Sequence, residues 1–502
     1  MNTTDYLLRA DAAIGSPADA ATALLTQDQH ISYAQLRRAT AALLHALREQ
    51  AVQPTDRVAI LGANSLFWVA SYLAILKLGA VAVPLATVAT PEDWQRQLAH
   101  VACTAVCAER RHKAKLQTDL PLLDESATHN SDAGSLDWPE PDPTFDLDTD
   151  AAILFTSGTT ARPRGVRITH RNIQANTQSI IADLALARDS RMLVVLPFFY
   201  CFGLSLLHSH LRVGGSLALC NSFTFPETAL DMLEKTHCTS LAGVPTTFQT
   251  LLRNSTFASR SFKTLRHIQQ AGGKLTPTLI DELIAAAPNA ELHVMYGQTE
   301  ATARLSSLPP ALLQAKRGSI GKGISGVQLQ VVDANGQDVN PGETGEIIAR
   351  GENISPGYYN DPEATAQKFV DGALHTGDVG TVDEDGFIYI VDRTADFIKS
   401  YGHRVSSQQI EACVMELADV VGAAAIGMPD ELRGEAIAVF ITLRNGAALP
   451  TERVMTHCMQ QLPRHMWPKD VFVLATLPMN ANGKVVKAEL KKLCAASPVA
   501  ST

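Results

Sequence analysis

Apolar residues from Tyr33 to Gln50 fall three and four apart, the spacing of a helix with one buried face. "VAIL" (58–61) and "VAVPL" (81–85) are unbroken apolar runs and read as strands buried on both faces. Phe67 to Ala89 is apolar for long enough to suggest a membrane span. Lys77 in its middle, with Gly79 and Pro84 as punctuation, resolves it instead into a buried helix feeding a buried strand. From Lys113 to Asp150 the pattern lapses into Asp, Pro and Ser, the chemistry of a surface connection.

At Ile153 the alternation resumes. "ILFT", "MLVVLP" (192–197), "SLALC" (216–220), "SLAGVP" (240–245) and "LHVMYG" (292–297) read as strands. Helical patterns lie between them, among them Asn172 to Ala187 and Pro277 to Ala287. Strands alternating with helices predict an α/β protein with parallel sheets covered by helices. After Gly345 the style changes. "GEIIARG" and "DEDGFIYIVDR", with its Asp-Gly turn, predict antiparallel structure. Beyond Arg393 a compact α/β segment opens on a helix with Ser406 and Gln409 in capping-box spacing. The division expected is a domain over 1–392, a hinge at 393–396 and a second domain over 397–502.

Composition narrows the function classes. With 46% apolar and 19% charged residues in 502, the chain buries large cores and is not disordered. A net charge of −9 with scattered basic residues argues against nucleic acid as a partner. No basic segment precedes an apolar stretch at the N-terminus, so no secretory signal and no transmembrane segment are expected. Of eight cysteines only Cys103 and Cys107 lie close in sequence, which suits thiols in a reducing cytoplasm. Gly321, Gly323 and Gly326 spell a dinucleotide fingerprint, but the strand-like "VQLQVVD" follows where a helix is required, so they read as a loop.

The chemistry concentrates in five places. "ILFTSGTTARPRGV" offers the hydroxyls of Thr156, Ser157, Thr159 and Thr160 around Gly158, a turn whose amides form an anion nest. Arg162 and Arg164 add forked donors for phosphate, and Pro163 stiffens the segment, yet the order is not that of a Walker loop. "MYGQTEA" places Tyr296 to stack on a base, Thr299 to donate to phosphate and Glu300 to hold Mg²⁺. Asp378 in "LHTGD" can accept from two ribose hydroxyls, and Arg393 stands at the domain junction. Lys484 follows an Asn-Gly turn eighteen residues before the end. Each alone is more often a turn or a solvated charge.

In this order they carry a resemblance. "FTSGTTARPRGV", "LPFFYCFGL", "MYGQTE", "GETGEIIARG", "LHTGD", "DRTADFIKSYGHRV" and "NGKVVK" resemble the adenylate-forming superfamily of acyl- and aryl-CoA ligases, adenylation domains and luciferase-like enzymes, from about residue 25 to 490. The resemblance implies a large domain of stacked, helix-covered β-sheets with a β-barrel-like subdomain, and a small mobile α/β C-terminal domain. It implies ATP, Mg²⁺ and CoA, or a carrier-protein phosphopantetheine, as cofactors. A carboxylate attacks the α-phosphorus of ATP, and a thiol then displaces AMP. The implied nucleotide set is Thr156, Ser157, Gly158, Thr159, Thr160, Arg164, Gly272, Gly273, Tyr296, Gly297, Gln298, Asp378 and Arg393. Thr299, Glu300 and Lys484 would be catalytic, with Glu300 also the metal ligand. After rotation of the C-terminal domain, Lys399 and Gly402 would enter, Gly402 leaving room for the pantetheine arm.

Tyr200, Phe202, Val244, Gly272 and Gly273 would line the acyl pocket. No Asp stands between Leu196 and Gly203 to pair with an α-ammonium, which weighs against amino acids. The expected activity is AMP-dependent ligation of an apolar fatty or aryl acid to CoA, as in fatty acid metabolism, in the cytoplasm. The alternatives are a stand-alone ligase loading a carrier protein, and a catalytically weakened nucleotide-binding relic. Ala161 and Arg164 stand where the family has Gly and Lys, and Ala395 where it has Asp or Lys, so pyrophosphate handling and domain alternation are the steps in question.

Overall fold

The computed structural model describes residues 1–8, 19–129, 138–156, 164–394, 396–444, 446–480 and 484–496. Two sheets with helices between and outside them build the large N-terminal part. One has six strands, in the order Leu122–Leu123, Ala105–Ala108, Arg57–Leu61, Val81–Leu85, Asp150–Thr156, Arg164–Thr169. All its pairings are parallel except the last, a hairpin. The other has nine strands, and its centre runs parallel through Glu291–Tyr296, His267–Gln270, Ser240–Gly243, Arg191–Val194, Ser216–Leu219 and Thr22–Leu25.

One apolar core joins the sheets. It takes Val58 and Ile60 from the first, Met192 and Val194 from the second, and Trp68, Ile180 and Leu206 from the helices between them. The opposite faces of the sheets carry separate cores, with Leu193, Ile268 and Leu279 in one and Val83, Trp94 and Leu98 in the other. Alternate residues of each strand thus serve two helix layers, which is why the strands read as unbroken apolar runs.

The apolar stretch from Phe67 folds as expected. Ser65 caps a helix over Leu66–Leu78, Gly79 ends it at φ 78°, and the strand Val81–Leu85 follows. Lys77 is buried and paired with Asp5 at 2.6 Å. It also donates to the Pro139 carbonyl at 2.6 Å and lies 5.2 Å over the Trp138 ring. Among the described residues no helix is long and apolar enough to cross a membrane.

The antiparallel subdomain is a five-stranded sheet whose long strand Ala373–Val382 pairs with Thr344–Gly351, Phe369–Val370 and Ile388–Arg393. Gly321, of the false dinucleotide motif, bridges to Ile388, and a side chain there would strike the Ser307 carbonyl. The C-terminal part has its own five-stranded sheet around Val420–Asp430 and Gly434–Leu443, and its own core of Ile410, Val439 and Val454. Asp392 ties the two parts together. Its Oδ2 accepts from the Ser407 amide at 2.6 Å, at the start of the helix Ser407–Val414, and from both the Ser406 and Ser407 hydroxyls at 3.0 Å. A carboxylate there satisfies orphan amides and complements the helix dipole.

Candidate active site

The candidate residues gather at the carboxyl ends of the parallel strands, where open α/β sheets place ligands. The strand His267–Gln270 runs into Gly272, which adopts φ 88°. A Cβ there would lie 2.9 Å from Val244 Cγ1 and 3.0 Å from Tyr200 Oη, so glycine is required both by conformation and by space. The strand Glu291–Tyr296 runs into Gly297, where a Cβ would lie 1.7 Å from the Ala303 carbonyl oxygen. That close approach folds Gln298, Thr299 and Glu300 back over the sheet end.

Tyr296 and Asp378 meet across this edge. The Tyr296 hydroxyl donates to Asp378 Oδ2 at 2.6 Å, and Arg393 Nε donates to Oδ1 at 3.0 Å. The carboxylate is buried, whereas the Arg393 side chain is half-exposed. Burial, and then the Asp378 charge, push the Tyr296 phenol far above its ordinary value. The same carboxylate raises Arg393. Asp378 is thus held oriented by donors on both of its oxygens, with lone pairs left for hydroxyl donors.

Next to this pair, Thr299 Oγ1 lies 3.5 Å from the buried Cys201 Sγ. Glu300 Oε1 accepts from the Tyr358 hydroxyl at 2.8 Å, and among the described residues its other oxygen takes no hydrogen bond. A carboxylate with one oxygen oriented and the other open suits Mg²⁺, which keeps most of its shell as water and phosphate. Gln298 Nε2 is buried and unpartnered among the described residues, a donor that suits a nucleotide acceptor. Thr156 pairs with Arg164 at the end of the antiparallel pair of Asp150–Thr156 and Arg164–Thr169. Arg164 lies 5.5 Å over the Tyr358 ring and 3.6 Å from Asp361. Ser157, Gly158, Thr159, Thr160, Ala161, Arg162 and Pro163 lie outside the described residues, as does Ala395.

Lys484 arrives from the C-terminal part. Its amide donates to Asn480 Oδ1 at 3.0 Å and its carbonyl accepts from the Asn480 amide at 2.8 Å, which fixes the backbone at this point. A cavity of about 630 Å³ is lined by Lys484 together with Val244, Gly272, Gly273, Tyr296, Gly297, Asp378 and Arg393. Burial, and then the Arg393 charge, lower the Lys484 ammonium below an ordinary lysine; Cys201, Asp378 and Glu300 pull it back. Lys399 and Gly402 stand apart, on the hairpin of Ile398–Ser400 and His403–Val405, exposed and outside this cavity.

Three contributors carry no sequence signal of their own. Tyr358 orients Glu300, and Asp361 pairs with Arg164. Lys368 donates to the Thr376 carbonyl at 2.7 Å, its ammonium lowered by burial while Glu300 and Asp378 offset that. A lysine on a short helix reads as solvated until the strand Ala373–Val382 is laid beside it.

The family model for AMP-binding enzymes matches residues 11–359, and that for the AMP-binding enzyme C-terminal domain matches 409–484. The chain belongs to the AMP-binding enzyme family. This places it in the adenylate-forming superfamily that its motifs resemble. The AMP-binding enzyme is 30% identical over 480 residues to a feruloyl-CoA synthase of Amycolatopsis, covering 94% of this chain and 96% of that one. It is 32% identical over 473 residues to an oxalate–CoA ligase of Arabidopsis thaliana, covering 89% and 91%. Among solved structures it is similar to the o-succinylbenzoate CoA synthetase of Bacillus subtilis with its acyl-adenylate intermediate, at TM-score 0.84, 27% identity and coverage of 94% and 95%. The same Bacillus protein has been solved with ATP and a magnesium ion.

In this AMP-binding enzyme Tyr200 Oη closes on Gly272, which has no side chain to hold it off. Tyr200 and Phe202 are both buried and pack edge to face at 6.4 Å, with Val244 against Gly272.

Proposed function

We propose that this AMP-binding enzyme is an AMP-forming acid–thiol ligase, which joins a carboxylic acid to AMP and then transfers the acyl group to CoA. The observation that carries this is the meeting of Lys484 with Tyr296, Asp378 and Arg393 around one cavity, although they come from separate sheets and from both ends of the Arg393 junction. Tyr296 would stack on adenine beside Gly272 and Gly273, and Asp378 with Arg393 would hold the ribose. Thr299 would donate to the α-phosphate, and Thr156 and Arg164 anchor the loop that grips the leaving phosphates. Glu300 would hold Mg²⁺, which neutralises phosphate charge when bound.

In the first step a carboxylate oxygen bonds to the α-phosphorus and the bond to pyrophosphate breaks. The Lys484 ammonium would stabilise the charge that develops on the attacking and bridging oxygens. In the second step the thiol sulfur bonds to the acyl carbon and AMP leaves, its proton passing to solvent. The hinge proposed at 393–396 would let Lys484 withdraw and bring the hairpin with Lys399 and Gly402 into place. Tyr200, Phe202 and Val244 would receive an apolar fatty or aryl body. We assign the chain to the cytoplasm, where ATP and CoA are supplied.

The test is pyrophosphate release and hydroxylamine trapping across fatty, aryl and amino acids. The active acid is then offered with CoA or with a phosphopantetheinylated carrier protein. Turnover with acid and CoA is expected. A purified, folded enzyme that releases no pyrophosphate with any acid would refute the reading.

A further inference from the structure

Past the Phe202 ring lies a buried cation, Arg304. Arg304 follows the active-site turn. Its backbone is clamped, with N–H to Asn176 Oδ1 at 3.1 Å and carbonyl to Asn176 Nδ2 at 2.8 Å and Asn353 Nδ2 at 3.1 Å. Its side chain is 2% exposed. The guanidinium lies 5.9 Å over the Phe202 ring. Among the described residues neither terminal nitrogen has a hydrogen-bond acceptor, and Asp183 stands off at 3.9 Å. The buried pair Lys77–Asp5, closed at 2.6 Å, shows what this fold does with a structural cation. A buried guanidinium with open donors is costly unless an acceptor arrives.

Two more buried polar side chains, Gln269 and His293, lie on the sheet, with His293 Nε2 3.2 Å from His267 Nδ1. The parallel register sets Gln269 beside His293 on the sheet face that looks toward the helices His170–Asp183 and Cys201–Arg212. Gln269 is fully buried and both atoms of its amide are unpartnered among the described residues. His293 is within electrostatic reach of Arg304 and is kept neutral by burial, at about 3. Arg304 itself is lowered by burial only to about 10, so it stays charged at neutral pH. A continuous line of contacts joins it to the reaction centre: Gly272 to Tyr200, Tyr200 to Phe202, Phe202 to Arg304.

We propose that Arg304 is the far end of the acyl pocket and takes a second carboxylate, so that the substrate is a dicarboxylic acid with an apolar middle. This rests on the reading that Tyr200 and Phe202 line that pocket. One carboxylate is adenylated near Thr299 and Lys484; the other receives two parallel N–H bonds from Arg304, the fork geometry that guanidinium and carboxylate share. Asp183 is the counter-charge that the diacid displaces.

The experiment pairs straight-chain and aryl monoacids with their counterparts bearing a second carboxylate at the far end, and reads kcat/KM for pyrophosphate release. The wild type is expected to favour the diacid by about tenfold to a hundredfold, the range for a charged hydrogen-bonded pair. In Arg304→Met the ratio should collapse toward one. Asp183→Asn, which keeps the fold testable if the methionine variant does not accumulate, should lower KM for the diacid. A wild type that prefers monoacids or is indifferent, a ratio that persists in Arg304→Met, or an unchanged KM in Asp183→Asn overturns the subsite. Turnover of monoacids without diacid preference rejects the subsite alone and leaves the ligase standing. If no acid releases pyrophosphate, calorimetric titration of the diacid into wild type and Arg304→Met decides: heat lost in the variant supports the subsite, and no heat or equal heat rejects it.

Discussion

Tyr296 and Asp378, 82 residues apart in the chain, share a 2.6 Å hydrogen bond at the meeting of the nine-stranded and antiparallel sheets. The bond fixes a carboxylate at the edge of the cavity with Arg393 on its other oxygen. If Asp378 holds a ribose, removing it takes away ground-state binding of ATP. Asp378→Ala should raise KM for ATP by about tenfold to a hundredfold, the loss of hydrogen bonds to a charged acceptor. Tyr296→Phe keeps the ring and loses only the orienting hydroxyl, so its effect should be several-fold smaller. Initial rates of pyrophosphate release against ATP concentration check both, and equal effects would contradict the assignment.

Lys484 should matter for rate and not for folding. Lys484→Ala should slow adenylation by about a hundredfold to a thousandfold, the range for losing one preorganised donor. Its pH dependence has a sign. Burial lowers the folded-state pKa, so the ammonium is lost as pH rises through a value below that of an ordinary lysine, and activity falls on that alkaline limb. Lys484→Arg should move the limb upward. For stability the direction is opposite: where the unfolded lysine is still protonated and the folded one is not, the unfolded state binds more protons, and stability rises with pH. At neutral pH the buried charge is therefore a burden, and Lys484→Met should melt slightly higher while losing activity. A lower melting temperature would make Lys484 a structural residue.

Much of this was legible in the chain before folding. The buried runs at 58–61 and 81–85 became central strands because each faces two helix layers. Tyr296, Asp378, Arg393 and Lys484 announced themselves because turns and glycines surround them in a fixed order. Tyr358, Lys368 and Arg304 did not. Each acts through a partner more than fifty residues away or beneath a neighbouring element, as Tyr358 does on Glu300, and local pattern carries no trace of that. Arg304 sits among apolar and small residues in "ATARLS", where an arginine reads as a surface charge; only its burial without an acceptor marks it.

The Lys77–Asp5 pair predicts a stability effect far from the chemistry. Both side chains are almost wholly inaccessible and closed at 2.6 Å, so truncating either strands the other. Lys77→Ala should cost about 3–5 kcal/mol, whereas Lys77→Met with Asp5→Asn should recover much of it. Denaturant melts of the single and double variants measure the difference. A single variant as stable as wild type would show that the terminal helix Thr3–Leu8 docks without this charge.

If Gly402 leaves room for the pantetheine arm, its substitution separates the two half-reactions. It turns the hairpin at φ 77°, and a side chain there would meet nothing within 4 Å in the present arrangement. Substitution therefore costs only the left-handed backbone strain, about 1–2 kcal/mol, confined to an exposed turn. If the C-terminal part never moved, Gly402→Val would leave both adenylation and thioester formation near wild type. If the hairpin swings to the pantetheine path, the same valine blocks it. Hydroxylamine-trapped adenylate should then form at close to the normal rate while acyl-CoA formation falls by at least about tenfold, a barrier of 1.4 kcal/mol or more. Equal rates in both assays would remove the ground for domain rotation, and equal losses in both would point to a misfolded hairpin, which a melting curve resolves.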